Sequence, residues 1–303
     1  MGVLDGKVAL VTGAGRGIGR DMAIMMAANG ARVVVNDLGG DAKGTGGDQI
    51  PALEVVKEIN DAGGEAVANF GSVSDRDAAE AMVQQARDDF GQLDIVVNNA
   101  GILRDVIFHK MSYEEWDAVV NVHLGGTFNV SRAAAPYFRE RGAGCYVHYT
   151  STSGLIGNYG QANYMAAKLG IVGLSKSIAL DMSRFGVTSN CISPFAWSRM
   201  IGTIPINDEA QAARIEKLKQ MTPSKIAPVC VALASDEGKK VTGQIFAVRN
   251  NEIFLMGQSR PLRSAHRSEG WTPETVLDTA FPAMEAQFYA LDRSQDVFSW
   301  DPI

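Results

Sequence analysis

The chain is poor in several things that would place it quickly. It has three cysteines, Cys145, Cys191 and Cys230, far apart and with no CxxC pair. That excludes a disulfide framework and predicts buried free thiols in a reducing compartment. Its four histidines, His109, His123, His148 and His266, show no metal-binding spacing such as HExxH, so no metal is expected. Nowhere do about 18 apolar residues run together, the length a membrane-spanning helix needs. Basic residues are outnumbered, and the net charge of −6 argues against nucleic acid and against an anionic membrane surface as partners. The opening MGVLDGKVAL lacks the basic-then-apolar pattern of a secretory leader. Position 6 is Gly6, not the Ser or Thr of a myristoylation motif, and the terminal DPI is not a peroxisomal tripeptide. The expectation is a cytoplasmic protein.

What is present is ordinary globular composition, 46% hydrophobic and 20% charged over 303 residues, enough for one large core. Short β-branched runs alternate with helical patterns. KVALVT (7–12), ARVVVND (31–37), EAVANF (65–70), LDIVVNNAG (93–101), CYVHYTSTSG (145–154) and GVTSNCISP (186–194) read as strands. Between them, 17–30, 50–64 and 75–91 read as helices, and a long helix from 112 to 142 is expected to bend around Gly125 and Gly126. Apolar strands alternating with helices predict an α/β fold with a parallel sheet covered on both faces. Two segments break the rhythm. The loop 38–49 carries five glycines and is expected to be a mobile surface insert. Residues 249–303 read as a C-terminal extension to a main domain spanning 1–248.

After the first strand comes TGAGRGIG, with glycines at 13, 15, 17 and 19. A glycine-rich turn between a strand and a helix lets the backbone approach a pyrophosphate, which the bare N–H groups of the helix terminus can receive. Asp37 ends the second strand, 18 residues beyond Gly19. A carboxylate there can accept from both ribose hydroxyls of an adenosine and repels a 2′-phosphate, which favours NAD over NADP. Arg16 pulls the other way, since a basic residue in this turn suits a 2′-phosphate. The bland alternative is that Asp37 merely terminates a strand.

GQANYMAAKLG (160–170) is alanine-rich, free of proline and predicted helical. Tyr164 and Lys168 therefore share one helix face. A phenol of ordinary pKa near 10 is a poor base at neutral pH, but a lysine ammonium close by stabilises the phenolate. The pair can then take a proton from an alcohol while hydride leaves to a cofactor. The serines of YTSTSG lie at the carboxyl end of the fifth strand, where doubly wound folds bind ligands.

These residues together resemble the short-chain dehydrogenase/reductase family. The matching features are Thr12-Gly13-x-x-x-Gly17-x-Gly19, Asn98-Asn99-Ala100-Gly101 and Tyr164-x-x-x-Lys168, over roughly residues 5–248. The resemblance implies a Rossmann-type doubly wound parallel sheet and a nicotinamide cofactor. It implies four catalytic positions: Ser151, 13 residues before Tyr164, with Ser153 less favoured, then Tyr164, Lys168 and Asn121. Asn121 would kink its helix and hold a water that links the lysine to solvent. The cofactor would contact Gly13, Arg16, Gly17, Ile18, Gly19 and Asp37, then Ser72, Val73, Asn99, Ala100 and Gly101, and finally Tyr164, Lys168 and Pro194. A homodimer or homotetramer is the family's usual assembly.

The chain departs from the pattern in three places: Ser72-Val73 where the family often has Asp-Val, Pro194-Phe195 for Pro-Gly, and Asn250-Asn251 for Gly-Gly. VVVNDLGGDAKGTG, NNAGILRD and GNYGQANYMAAKLG carry a narrower resemblance, to the dehydrogenase domains of the type 2 peroxisomal multifunctional enzymes. That implies a (3R)-hydroxyacyl-CoA thioester as substrate, or a 17β-hydroxysteroid or another bulky secondary alcohol. Phe195, Trp197, Met200, Ile201 and Ile204 suit an apolar substrate, and suit core packing equally well. Arg260, Arg263, His266 and Arg267 form a basic cluster that could meet coenzyme A phosphates, or be a solvated or subunit-contact face. A nucleotide-sensing regulatory protein without catalysis is the reading from another class, and an intact proton relay speaks against it.

Overall fold

The computed structural model describes residues 2–196 and 215–302. Eight strands form one sheet in the order β3-β2-β1-β4-β5-β6-β7-β8. They are β1 (Val8–Thr12), β2 (Arg32–Asn36), β3 (Glu65–Asn69), β4 (Ile95–Asn98), β5 (Gly144–Tyr149), β6 (Val187–Phe195), β7 (Ile245–Arg249) and β8 (Glu252–Leu255). The first seven pair in parallel, and β8 returns antiparallel to β7. This is the Rossmann-type sheet that the sequence led us to expect.

Successive side chains on a strand point to opposite faces, which explains why the central strands β1, β2 and β4 are largely apolar. Ala9, Val11, Val33, Val35, Ile95 and Val97 face one helical layer. It is built from α1 (Gly17–Ala28), α2 (Ile50–Asp61) and the helix Ala227–Ala234. Val8, Leu10, Val34 and Val96 face the other, built from α3 (Arg76–Phe90) and a helix over Gly126–Arg141. Sequence order reverses between β1 and β4, so their carboxyl ends diverge into a crevice, the place where such folds take ligands.

Three expectations need adjustment. The boundary at 248 falls inside β7, and the next residues return as β8, so the extension begins as part of the sheet rather than beside it. Asn250, at a φ of 55°, makes the turn between them, a left-handed position that asparagine tolerates better than most residues. The fifth strand stops at Tyr149; the following TSGL forms a single helical turn, α6 (Thr152–Leu155), because the Ser151 hydroxyl accepts from the Ser153 N–H and caps it. The long helix is three pieces: α4 (Tyr113–Val120), opened by a Ser112–Glu115 capping box, a π-helical turn (Asn121–Gly125), and α5 (Gly126–Arg141). The bend thus ends at the two glycines and begins four residues earlier.

Candidate active site

The floor of the crevice is a set of backbone staples. Thr12 Oγ1 accepts from the N–H groups of Asn99 and Ala100, at 3.1 and 3.2 Å. The Asn99 amide donates to the carbonyls of Thr12 and Gly13, both at 3.0 Å. Gly13 lies at a φ of 63°, and a Cβ there would come within 2.7 Å of Ala100 Cα. A Cβ on Gly19 would lie 2.1 Å from the Gly13 carbonyl oxygen. Packing of turn on turn therefore demands glycine at both positions. The N-terminus of α1 has no side-chain cap, so its first N–H groups are free to receive an anion.

A cavity of about 430 Å³ opens above this floor. Its walls include Gly13, Arg16, Ile18, Asp37, Ser72 and Val73. Asn99, Ala100 and Gly101 lie on the same wall. Gly17 and Gly19 are not on the wall; they shape the turn. Asp37 Oδ2 accepts from the Gly15 N–H and Oδ1 from the Gly39 N–H, both at 2.7 Å. The carboxylate is thus fixed in the cavity with a second lone pair on each oxygen to spare. Gly15, buried against Asp37 and Pro51, is a positioning residue that the motif reading passed over.

Ile18, Asn99 and Gly101 also line an adjoining cavity of about 250 Å³. Tyr149, Thr150, Tyr164, Lys168 and Pro194 lie on its wall. Tyr164 and Lys168 come from α7 (Ala162–Met182), with Lys168 Nζ 5.7 Å from the centre of the Tyr164 ring. Lys168 is almost wholly buried, its Nζ donating to the Tyr149 carbonyl at 2.6 Å. Burial lowers its pKa to about 7. Burial also dominates at Tyr164 and raises its pKa; the Ser151 hydroxyl pulls it back and the Asp105 carboxylate opposes that. Desolvation thus acts on both groups and opposes the lowering of the phenol pKa that a neighbouring ammonium brings. Ser151 sits beside the phenol at the head of α6, whereas Ser153 is buried beneath it.

Asn121 begins the π-helical turn, with its side chain exposed and off the wall of either cavity. Two residues on, His123 is 3% exposed and lies on the wall of the smaller cavity, its ring edge-on to Tyr164 at 5.2 Å. Within a π-helical turn a shift of two positions swaps a solvent-facing residue for a core-facing one, and His123 is a polar group to which the resemblance did not point. The usable signal was chemical: a lone histidine among Val122, Leu124 and two glycines is out of place unless it faces something polar.

The loop 38–49 is tied across the crevice instead of standing free. The Leu103 N–H donates to the Ala42 carbonyl at 2.9 Å, and Arg104 Nε to the Lys43 carbonyl at 3.1 Å. Ala42 lines both cavities. Phe195 follows Pro194 and meets Phe298 from the extension, ring centres 4.9 Å apart. Trp197, Met200, Ile201 and Ile204 lie outside the described residues. Arg260, Arg263 and Arg267 are exposed; Arg263 reaches Gln287, Arg267 pairs with Glu269, and with His266 none of them lines either cavity. Among the described residues no group of acidic, histidine and cysteine side chains could hold a metal, and no helix is long and apolar enough to cross a membrane.

The model of the short chain dehydrogenase family matches residues 7–198. A short-chain type dehydrogenase/reductase of Mycobacterium tuberculosis (strain ATCC 25618 / H37Rv) is 50% identical over 264 residues, covering 87% of this chain and 86% of its own. The Mus musculus peroxisomal multifunctional enzyme type 2 is 43% identical over 276 residues, 90% of this chain, which spans only 36% of that enzyme's length. The hydroxyacyl-CoA dehydrogenase ChsB1 of Mycobacterium tuberculosis is 38% identical over 311 residues, covering 99% of this chain and 86% of its own. Among solved structures, a short chain dehydrogenase from Mycobacterium avium superimposes with a TM-score of 0.81 at 40% identity, over 94% of this chain and 96% of that one.

Proposed function

The chain belongs to the short chain dehydrogenase family, whose members are oxidoreductases that use nicotinamide cofactors, and from that premise we propose that it is an NAD-dependent dehydrogenase of 3-hydroxyacyl-CoA thioesters, producing the 3-oxoacyl-CoA. The observation that carries the reading is the continuity of the two cavities. One holds the fixed Asp37 carboxylate and the glycine turn, and the other holds Tyr164 and Lys168.

The cradle suits a dinucleotide: an uncapped helix N-terminus for the pyrophosphate, and Asp37 for the adenosine ribose. When bound, the nicotinamide supplies the hydride acceptor and a positive charge. The chain supplies the rest. Tyr164 Oη accepts the proton of the alcohol. The Ser151 hydroxyl, beside that phenol, orients the reacting oxygen. Lys168, with a pKa near 7 and one N–H committed to the Tyr149 carbonyl, has two further donors and stabilises the Tyr164 phenolate, which becomes the phenol on taking that proton. The substrate class is supported by the similarity to a protein named a hydroxyacyl-CoA dehydrogenase.

The test is NADH formation by the purified protein over a panel of 3-hydroxyacyl-CoA thioesters and a panel of free steroid alcohols, each against Tyr164→Phe. We expect tyrosine-dependent turnover of the thioesters, with the variant slower by about 100-fold or more, the span of general-base effects. Turnover of free alcohols alone moves the substrate to steroids or similar compounds. NAD binding without turnover of either panel would make the protein a sensor rather than an enzyme.

A further inference from the structure

The loop 38–49 leaves β2, and in the sheet β1 stands between β2 and β4. To meet residues 102–104, which follow β4, the loop crosses the carboxyl end of β1, where the glycine turn lies. It makes that crossing as a braced unit. Asp41 Oδ1 accepts from the N–H groups of Lys43 and Thr45, both at 2.9 Å, and the Asp41 N–H donates to the Thr45 carbonyl at 2.9 Å. The Asp48 N–H donates to the Gly39 carbonyl at 3.2 Å and closes the base. A loop with joined ends and its own internal bonds moves as a body. Its near side is fixed by Asp37, which holds the Gly39 N–H. Its far side is held by the Leu103 N–H on the Ala42 carbonyl and by Arg104 Nε on the Lys43 carbonyl. Gly44 rests on Ile102 there, so close that a Cβ would come within 3.1 Å of the isoleucine side chain.

Leu38, Gly40, Asp41, Ala42 and Gly44 line the larger cavity, and Ala42 lines the smaller one as well. The loop therefore spans the place where the two cavities join. A dinucleotide with its adenosine ribose at Asp37 and its nicotinamide beside Tyr164 has to run beneath it. We propose that the loop 38–49 is a strap over the cofactor and that Arg104 is the positioning residue that latches it. The dinucleotide enters and leaves only when the bonds from Leu103 and Arg104 open. Arg104 lines neither cavity, so it acts through the loop and not by touching the cofactor. Ala42 and Lys43 are exposed, and water competes for the two carbonyls that the latch uses. Opening is then a local event that leaves the sheet intact. The inference rests on the proposed dinucleotide site, but it does not depend on which alcohol is oxidised.

A latch and a simple contact differ in kinetics. Loosening a latch speeds entry and exit together. Losing a contact speeds exit alone. The readout is stopped-flow NADH fluorescence, with association followed on mixing and dissociation followed by displacement with excess NAD. The proteins are the wild type, Arg104→Ala, and the double variant Leu103→Pro/Arg104→Ala, which lacks both donors. We expect Arg104→Ala to raise both rate constants by about 10-fold, the effect of one charge-assisted hydrogen bond on a local opening, with Kd changed by less than about threefold. The double variant should raise both further. A rise in dissociation alone would make the loop a contact surface and overturn the strap. Wild-type rates in the double variant would overturn it as well. Failure of the wild type itself to bind NADH is the separate result that removes the dinucleotide site, and the strap with it.

Discussion

Asp37 is one carboxylate that serves the fold and, in the function we propose, the cofactor as well. Its two oxygens take the N–H groups of Gly15 and Gly39, so it tethers the glycine turn to the start of the loop 38–49. It also stands in the cavity where an adenosine ribose would rest. Arg16 lies on the same wall. Replacing Asp37 by Ser therefore removes a repulsion that Arg16 is ready to replace with attraction. We expect Asp37→Ser to lower kcat/KM with NAD by roughly 10- to 100-fold, the worth of one or two charge-assisted hydrogen bonds, and to raise it with NADP. Parallel kinetics with the two cofactors would settle the matter. An unchanged NAD/NADP ratio would mean that Asp37 acts only as a tether. Asn121 offers a companion test at the same scale. Its exposed side chain predicts that Asn121→Ala changes kcat by less than about threefold, as surface substitutions away from such features generally do.

At the scale of elements, the chain announced those whose periodicity is simple. Strands β1, β2 and β4 could be read because they are buried on both faces and rich in Val, Ile and Leu, and β3, β5 and β6 because short β-branched or apolar stretches recur between turn residues. The glycine turn, Asp37, Tyr164 and Lys168 could be read because their chemistry depends on local spacing. Three things could not. β7 and β8 are short, and their pairing is set by a hairpin turn on Asn250 rather than by glycine. The π-helical turn inserts a residue into a 3.6-residue repeat, so helical periodicity does not show that His123 turns inward. The loop 38–49, with five glycines, reads as mobile, yet long-range bonds from the Leu103 N–H and the Arg104 side chain anchor it. These bonds carry a prediction. In Arg104→Ala one of the two ties is lost, and amide exchange in 39–48 should quicken by about 10-fold, the effect of losing roughly 1 kcal/mol from a local opening equilibrium. Unchanged exchange would place the anchoring in the backbone bond between Leu103 and Ala42 alone.

At the scale of the whole molecule, the site is a charge problem solved by burial. His123 and His148 are buried and neutral, each with its pKa lowered to about 3 from 6.5. Between those values the unfolded chain binds more protons than the folded one, so stability is full above pH 6.5 and drains away as pH falls toward 3. Lys168 follows the same sign in a different window. Its folded pKa is lowered from 10.5 to about 7, so the unfolded chain holds a proton that the folded one has released. Stability therefore rises with pH above 7, and below 7 the protein bears the full cost of a buried ammonium. Substituting Lys168 by Met removes the group from both states. The expected result is a melting-temperature difference, wild type minus Lys168→Met, that is flat below pH 7. It then grows in favour of wild type up to the onset of tyrosine ionisation near 10. A difference that stays flat through the alkaline window would mean that Lys168 keeps its charge in the folded protein. The phenolate of Tyr164 would then be stabilised by a full ammonium at every pH at which the enzyme works.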